Sequence, residues 1–317
     1  MWDFSSGRAG LRAQLRQRLR LPVVAAPMFL VSGPELVIEA CRAGVIGSFP
    51  TLNARTPEIL GEWLSRMATA SKDCAPFAAN MILHKSNTRL EADFEQVLAY
   101  QTPIVIASVG RPDKVVERVH GYGGLVLADV ASLRHARNAV AAGADGLILL
   151  TAGAGGNTGW LNPFAFVAAV REFFDGPIAV AGSISCGRDL RALQVLGADL
   201  GYMGTAFLGT TESMAPPEHK EAMLATDADG IVQTDALSGM PANFIRSRLE
   251  QARVISPDGS IAGDARTDVF SWKTVWSAGQ GVGHVRAIEP TAAIVERLEQ
   301  ELMDCAQPGQ GGHESSL

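Results

Sequence analysis

The chain has 317 residues, 47% hydrophobic and 19% charged, with 33 glycines, 16 prolines and a net charge of −6. That length buries a large core and admits one large domain with an insertion. The acidic balance excludes a basic footprint for nucleic acid or an anionic membrane, and the longest apolar stretch, 21–31, is too short to span a bilayer and contains Pro22 and Pro27.

Five arginines come first, Arg8, Arg12, Arg16, Arg18 and Arg20, without an apolar signal-peptide core behind them. The stretch 12–20 reads as a basic amphipathic helix on the outside of the fold. Short apolar runs then alternate with helix-length amphipathic segments, the pattern of successive βα units. Strands are predicted at 23–26, 45–49, 77–82, 104–107, 125–128, 146–150, 178–181 and 200–203. Helices are predicted at 34–43, 57–70, 88–100, 112–120, 132–142, 163–174 and 187–196. Several open with proline in the first turn or serine or threonine just before it, as helix starts prefer. Two helix–strand joints repeat, Ala142-Gly143-Ala144-Asp145 and Leu196-Gly197-Ala198-Asp199, each with a glycine suited to a left-handed cap.

Eight strands with intervening helices predict an α/β fold, a (β/α)8 TIM barrel. A doubly wound sheet would have fewer strands and a glycine fingerprint after the first. Here Pro27-Met28-Phe29-Leu30 follows strand one, and the glycines follow strands six, seven and eight. After 209 the periodicity weakens to a helix at 217–225, a short run at 230–234 and a Pro/Gly/Asp-rich stretch at 256–268. The expected organisation is a barrel of 1–209 plus 279–306, a small, mostly helical lid of 210–278, and a disordered tail at 307–317. Cys41, Cys74, Cys186 and Cys305 show no metal-ligand spacing, so no metal site is expected. A reduced, cytoplasmic protein is the simplest reading.

In barrels of this kind ligands sit at the C-terminal ends of the strands, with phosphate commonly held by the loops after strands seven and eight. Those loops are Ala181-Gly182-Ser183-Ile184-Ser185 and Met203-Gly204-Thr205-Ala206. Each offers backbone N–H groups with little steric cover and a hydroxyl, enough for an anion nest without lysine or arginine. The loop after strand six, 151–160, holds Gly153, Gly155, Gly156 and Gly159, and Asn157 is the large polar side chain among them. Such a loop can lie against a flat ligand, although from the loop alone a plain strand-to-helix turn stays open. Ala26-Pro27-Met28 can lay amides along a ring edge with Met28 packing on its face. Asn80, at the mouth end of strand three, can pair with ring carbonyl and N–H groups or serve as a buried structural amide.

These residues together resemble the nitronate monooxygenase family, flavin-dependent barrel enzymes. The resemblance covers about residues 20–285 and rests on Ala26-Pro27-Met28, Asn80, Ala144-Asp145, Ala154-Gly155-Gly156, Gly182-Ser183-Ile184 and Gly204-Thr205. FMN-using enoyl-acyl-carrier-protein reductases look similar over the same loops. The resemblance implies FMN, its phosphate on Gly182/Ser183 and Gly204/Thr205 and its ring near Met28, Asn80 and Gly155-Gly156. It implies a small-molecule substrate and molecular oxygen as partners, and it admits a homodimer. The implied reaction is oxidation of alkyl nitronates. The alternatives are NAD(P)H-dependent reduction of enoyl thioesters or quinones, a specialised biosynthetic flavoenzyme, and a flavin-binding protein without activity.

The chain departs from the family at two places. Ser183 stands where the family usually has glycine, a mild change. Asn157 stands where it usually has a catalytic histidine, and an amide cannot take a proton near neutral pH. The chain is therefore expected to accept nitronates and to be poor with neutral nitroalkanes. A substitute base is sought in His84, just after strand three, against the plain reading of a solvated loop histidine. Ser108 and Asp129 read as helix caps or pocket residues, with caps preferred. His120, His135 and His219 read as surface residues of helices. The turn at 234–243 and Gln280 are candidate pocket walls, and Trp160, Phe164 and Phe166 could form an apolar one.

Overall fold

The computed structural model describes residues 17–237, 239–256 and 274–305. Most of the expected N-terminal helix, positions 257–268 of the Pro/Gly/Asp-rich stretch, and the tail at 307–317 lie outside them.

Eight parallel strands close into a barrel. In chain order the strands are β1 (Val23–Ala25), β2 (Ile46–Pro50), β3 (Phe77–Ile82), β4 (Ile104–Ser108), β5 (Leu125–Val130), β6 (Gly146–Leu150), the two-residue β7 (Gly156–Asn157), β8 (Ile178–Ala181) and β9 (Leu200–Met203). All but β7 belong to the barrel. Closure is made at β1, where Val24 pairs with Ile46 of β2 on one side and Tyr202 of β9 on the other. Inside, Val24, Ile46, Ala78, Ile104, Ile106, Leu127, Ile148, Ala179 and Leu200 form a packed apolar filling. Side chains alternate along a strand, so residues two further on share the inward face. That register places Asn80, Ser108, Asp129 and Tyr202 in the next layer up, at the C-terminal mouth.

The helices between strands are α1 (Pro34–Ala43), α2 (Pro57–Ala70), α3 (Leu90–Ala99), α4 (Asp113–His120), α5 (Leu133–Ala141), α6 (Pro163–Arg171) and α7 (Gly187–Leu196). Their capping follows the sequence. Pro34 opens α1, Thr56 Oγ1 accepts the Ile59 N–H at 3.3 Å, and Ser132 Oγ accepts the His135 N–H at 3.2 Å. The two repeated joints are real. Gly143 and Gly197 have φ of +91° and +96°. The aspartate after each ties down the start of the preceding strand, Asp145 Oδ2 accepting from Val126 N and Asp199 Oδ2 from Ile178 N, both at 2.8 Å. His120 and Arg171 close these two bottom-face clusters. This is the barrel end where residues serve stability rather than chemistry, so Ala144-Asp145 contributes to the frame and not to the site.

Beyond the barrel come the one-turn α8 (Thr205–Leu208), α9 (Pro217–Leu224), β10 (Ile231–Thr234), β11 (Ala242–Ile245), α10 (Arg246–Gln251) and α11 (Thr291–Asp304). The last helix returns to the barrel, packing Ile294, Val295 and Leu298 with Leu36, Ala40 and Leu190. The lid segment carries two strands beside its helices. Its strands β10 and β11 join β7 in a second, antiparallel sheet. A two-residue strand inside a glycine loop has no period to detect, which is why sequence reading missed it.

Candidate active site

A cavity of ≈ 1070 Å³ opens at the barrel mouth. Its walls come from the loops after β1, β4, β6, β8 and β9, from the inward layer of the strands, and from the lid. Three non-glycine residues on its lining have left-handed backbone: Leu30 (φ +63°), Val109 (φ +52°) and Ser183 (φ +57°). Such conformations cost about 1–3 kcal/mol each and gather at functional sites. A β-branched residue like Val109 is the least suited of all to this region.

The first loop is held from below. Asn53, buried, donates Nδ2 to Met28 O at 3.0 Å and Ser32 O at 2.8 Å, and its Oδ1 accepts the Leu30 N–H at 2.8 Å. Ser32 Oγ accepts the Met28 N–H at 3.0 Å. These bonds hold Ala26-Pro27-Met28 along the cavity edge. Nothing in the sequence marked Asn53, because its partners lie 21 to 25 positions away.

Opposite, the loops after β8 and β9 lie side by side on the cavity. The backbone N–H groups of Gly182, Ser183, Gly204 and Thr205 have no acceptor among the described residues. Unpaired amides beside a cavity are costly unless water or a ligand meets them. Their grouping suits a multiply charged oxyanion such as a phosphate ester. Thr205 Oγ1 accepts the Gly279 N–H at 2.9 Å, which leaves its own O–H free to donate. The residues present therefore fit a flavin mononucleotide at its anionic end.

The loop after β6 is explained differently from its sequence reading. Gly153 has φ +91°, and a Cβ there would come within 2.6 Å of Ser183 Oγ and 2.7 Å of Gln280 Oε1. A Cβ on Gly155 would lie 2.8 Å from Gly279 N. These glycines serve close loop-to-loop packing. Gly156, with φ +66°, is the open one, with Ser277 Oγ at 3.9 Å. The lid fastens this loop, with Thr158 N donating to Pro241 O at 3.0 Å and Asn243 Nδ2 to Ala154 O at 2.7 Å. Asn157 pairs with Ala242 in the sheet, is exposed, and lines the cavity.

The upper barrel layer is polar. Asn80 Nδ2 donates to Ile106 O at 3.3 Å and to Ser108 Oγ, and Ser108 Oγ donates to Asp129 Oδ2. The Val109 N–H also reaches the Asp129 carboxylate. Burial raises the Asp129 pKa to about 6 against the lowering effect of these two donors. Tyr202, facing the same space, is held well above 10 by burial and by the Asp129 charge. Neither Ser108 nor Asp129 caps a helix, since Pro112 and Ser132 hold those positions. Counting by two from the apolar strand centres would have found both.

On the lid side His219 is buried, at 5% exposure, contrary to the surface reading. Its ring stacks on Trp276 with centroids 5.0 Å apart and planes 13° from parallel, while the Arg248 guanidinium lies 4.0 Å from the Trp276 ring centroid. Nε2 donates to Ser277 O at 3.2 Å. Burial lowers its pKa to about 4, outweighing that bond, and Arg248 lowers it further, so the ring is neutral at working pH.

Of the expected site residues, Ala26, Pro27, Met28, Asn80, Gly155, Gly156, Asn157, Gly182, Ser183, Gly204 and Thr205 all line this one cavity. His84 does not. It is exposed, and its Nδ1 lies 2.8 Å from Ser86 Oγ. Strand alternation ends at Ile82, and a turn closed by Asn87 N–H to His84 O directs the chain away from the mouth. Met240 and Pro241 of the 234–243 turn reach the lining, whereas Gln280, Trp160, Phe164 and Phe166 do not. Among the described residues no helix is long and apolar enough to cross a membrane, and no cluster of three or more potential metal ligands exists.

Residues 64–301 match the sequence model of the family described as nitronate monooxygenase. A putative monooxygenase of Mycobacterium tuberculosis, Rv1533, is 32% identical over 72% of this chain and 67% of its own length. A (3aS,4S,5R,7aS)-5-hydroxy-7a-methyl-1-oxo-octahydro-1H-indene-4-carboxyl-CoA dehydrogenase of the same organism is 29% identical over 72% of this chain. The match spans 64% of that relative, less than two thirds of its length. Among solved structures, a nitroalkane oxidase from Streptomyces ansochromogenes superposes with a TM-score of 0.77 at 27% identity, covering 92% of this chain and 98% of that one.

Proposed function

The chain belongs to the nitronate monooxygenase family, and we propose that it oxidises alkyl nitronates with molecular oxygen through bound FMN. The observation that carries this reading is the set of unpaired amides at Gly182, Ser183, Gly204 and Thr205 on a cavity also lined by Met28, Asn80 and Gly155-Gly156. When bound, the flavin supplies a two-electron acceptor that oxygen regenerates. The chain's part is to hold and orient. The loops after β8 and β9 bind the phosphate, and Met28, Asn80 and Gly155-Gly156 border the ring. The neutral His219 adds no charge of its own, and the Asn157 amide offers an anionic nitronate a hydrogen bond.

The test is direct. The protein is isolated, its bound flavin is released by denaturation and identified by mass, and the holoprotein is mixed anaerobically with ethylnitronate. Release of FMN and bleaching of the flavin absorbance are expected. A protein that bleaches with NADH or NADPH and not with nitronate would replace this reading by a reductase of enoyl thioesters or quinones. That second reading is supported by a cavity of ≈ 1070 Å³ whose lining includes the exposed, apolar Phe29 and Met240.

A further inference from the structure

Oxidation of a neutral nitroalkane, unlike that of a nitronate, needs a group that removes a carbon-bound proton. Asn157 cannot do this, and the other titratable and charged groups lining the cavity divide cleanly. Arg55 and Arg111 accept no proton. His135 stands exposed on α5. His219 is a weak base with Nε2 committed to Ser277 O. Tyr202 keeps its proton. Asp129 differs from all of them. It belongs to the inward layer of β5, lines the cavity, and is braced by Ser108 Oγ and the Val109 N–H. A carboxylate has about four acceptor positions, so these two bonds leave others open to the cavity. The Val109 amide is aimed by a left-handed backbone that valine otherwise avoids.

We propose that Asp129 is the catalytic base that takes the α-proton of a neutral nitroalkane in this cavity, extending the substrates of the proposed flavin oxidation from nitronates to their conjugate acids. The step balances. The α C–H bond breaks, its electron pair stays on the substrate as the nitronate, and the proton forms an O–H on Asp129 before passing to water. No electron leaves the substrate in this step. The Asp129 carboxyl, its pKa raised by desolvation, is a stronger base than His219, whose pKa burial lowers. It also reverses the expectation that neutral nitroalkanes are poor substrates.

The proposal rests on the nitronate reading for its substrate, so the readout is one that needs no flavin turnover. Exchange of the α-protons of nitroethane with D2O is followed by proton NMR on the purified holoprotein under anaerobic conditions, from pH 5 to 8. Wild type should catalyse exchange with a midpoint at about pH 6. Asp129→Asn should slow it about 10²–10⁴-fold. Because Ser108 lowers the Asp129 pKa, Ser108→Ala should move the midpoint to higher pH. Exchange in Asp129→Asn close to the wild-type rate would overturn the proposal, as would wild-type exchange no faster than buffer. Should Asp129→Asn fail to fold, an unmoved midpoint in Ser108→Ala overturns it equally. Failure of ethylnitronate to bleach the flavin overturns the proposed function, while exchange still decides the role of Asp129.

Discussion

Replacing Gly153 by alanine perturbs the cavity at a point where three loops meet. Gly153 and Gly123 have similar left-handed backbone, φ +91° and +83°. An added Cβ at Gly123 would meet nothing within 4 Å. Gly123→Ala thus isolates the backbone cost, about 1–2 kcal/mol. At Gly153 the same cost applies, and the methyl also displaces Ser183 Oγ and Gln280 Oε1 from 2.6 and 2.7 Å. Each displaced side chain adds about 0.5–1.5 kcal/mol, for a total of about 2–5 kcal/mol. Gln280 cannot simply retreat with its backbone, because its N–H is bonded to Gly153 O at 2.9 Å. Part of the strain therefore passes to Ser183 and the amides beside it. Urea unfolding of flavin-free protein should show Gly153→Ala to be the more destabilised of the two. Fluorescence titration with FMN should show at least about a tenfold loss of affinity, 1.4 kcal/mol, for that variant and little change for Gly123→Ala. Equal destabilisation with unchanged FMN affinity in both would refute the assignment of Gly153 to loop packing around the proposed phosphate site.

Asn243→Ala removes the lid's bond to Ala154 O and strands a buried carbonyl, so unfolding free energy should fall by about 1–3 kcal/mol in urea titrations. Asp129 and His219 should give opposed pH dependences. The Asp129 pKa is raised from 3.8 to about 6, so its contribution is present below pH 3.8 and lost as pH rises through 6. The His219 pKa is lowered from 6.5 to about 4, so its contribution is present above pH 6.5 and lost as pH falls toward 4. Each spans on the order of 3 kcal/mol. Relative to wild type, Asp129→Asn should therefore gain stability with rising pH between 4 and 6, and His219→Gln should lose it, as thermal melts across that window will show. Asn157→His places a titratable ring on the cavity lining. In an Asp129→Asn background it should restore α-proton exchange by tenfold or more, out of the roughly 10²–10⁴ that a general base contributes.

Much of the molecule was legible before folding because its signals are local. Strands repeat every two residues and helices every 3.6, and Gly143 and Gly197 end their helices as their sequence neighbours require. The placement of Gly182-Ser183 and Gly204-Thr205 was also legible, since chain order alone assigns them to the ends of the last two barrel strands. Register and docking were not. Asp129 becomes a base candidate only when β4 sets Ser108 and Val109 beside it, and in sequence both Ser108 and Asp129 read better as helix caps. His219 carries no mark of burial in its own helix, which is polar around it. Trp276, 57 residues later, stacks on its ring, and burial lowers its pKa to about 4. The glycines after β6 looked shaped for a ligand, and two of those that line the cavity, Gly153 and Gly155, also make room for neighbouring loops. Local backbone preferences are encoded residue by residue. The electrostatic character of a buried group depends on what distant segments place around it, so only the tertiary structure decides it.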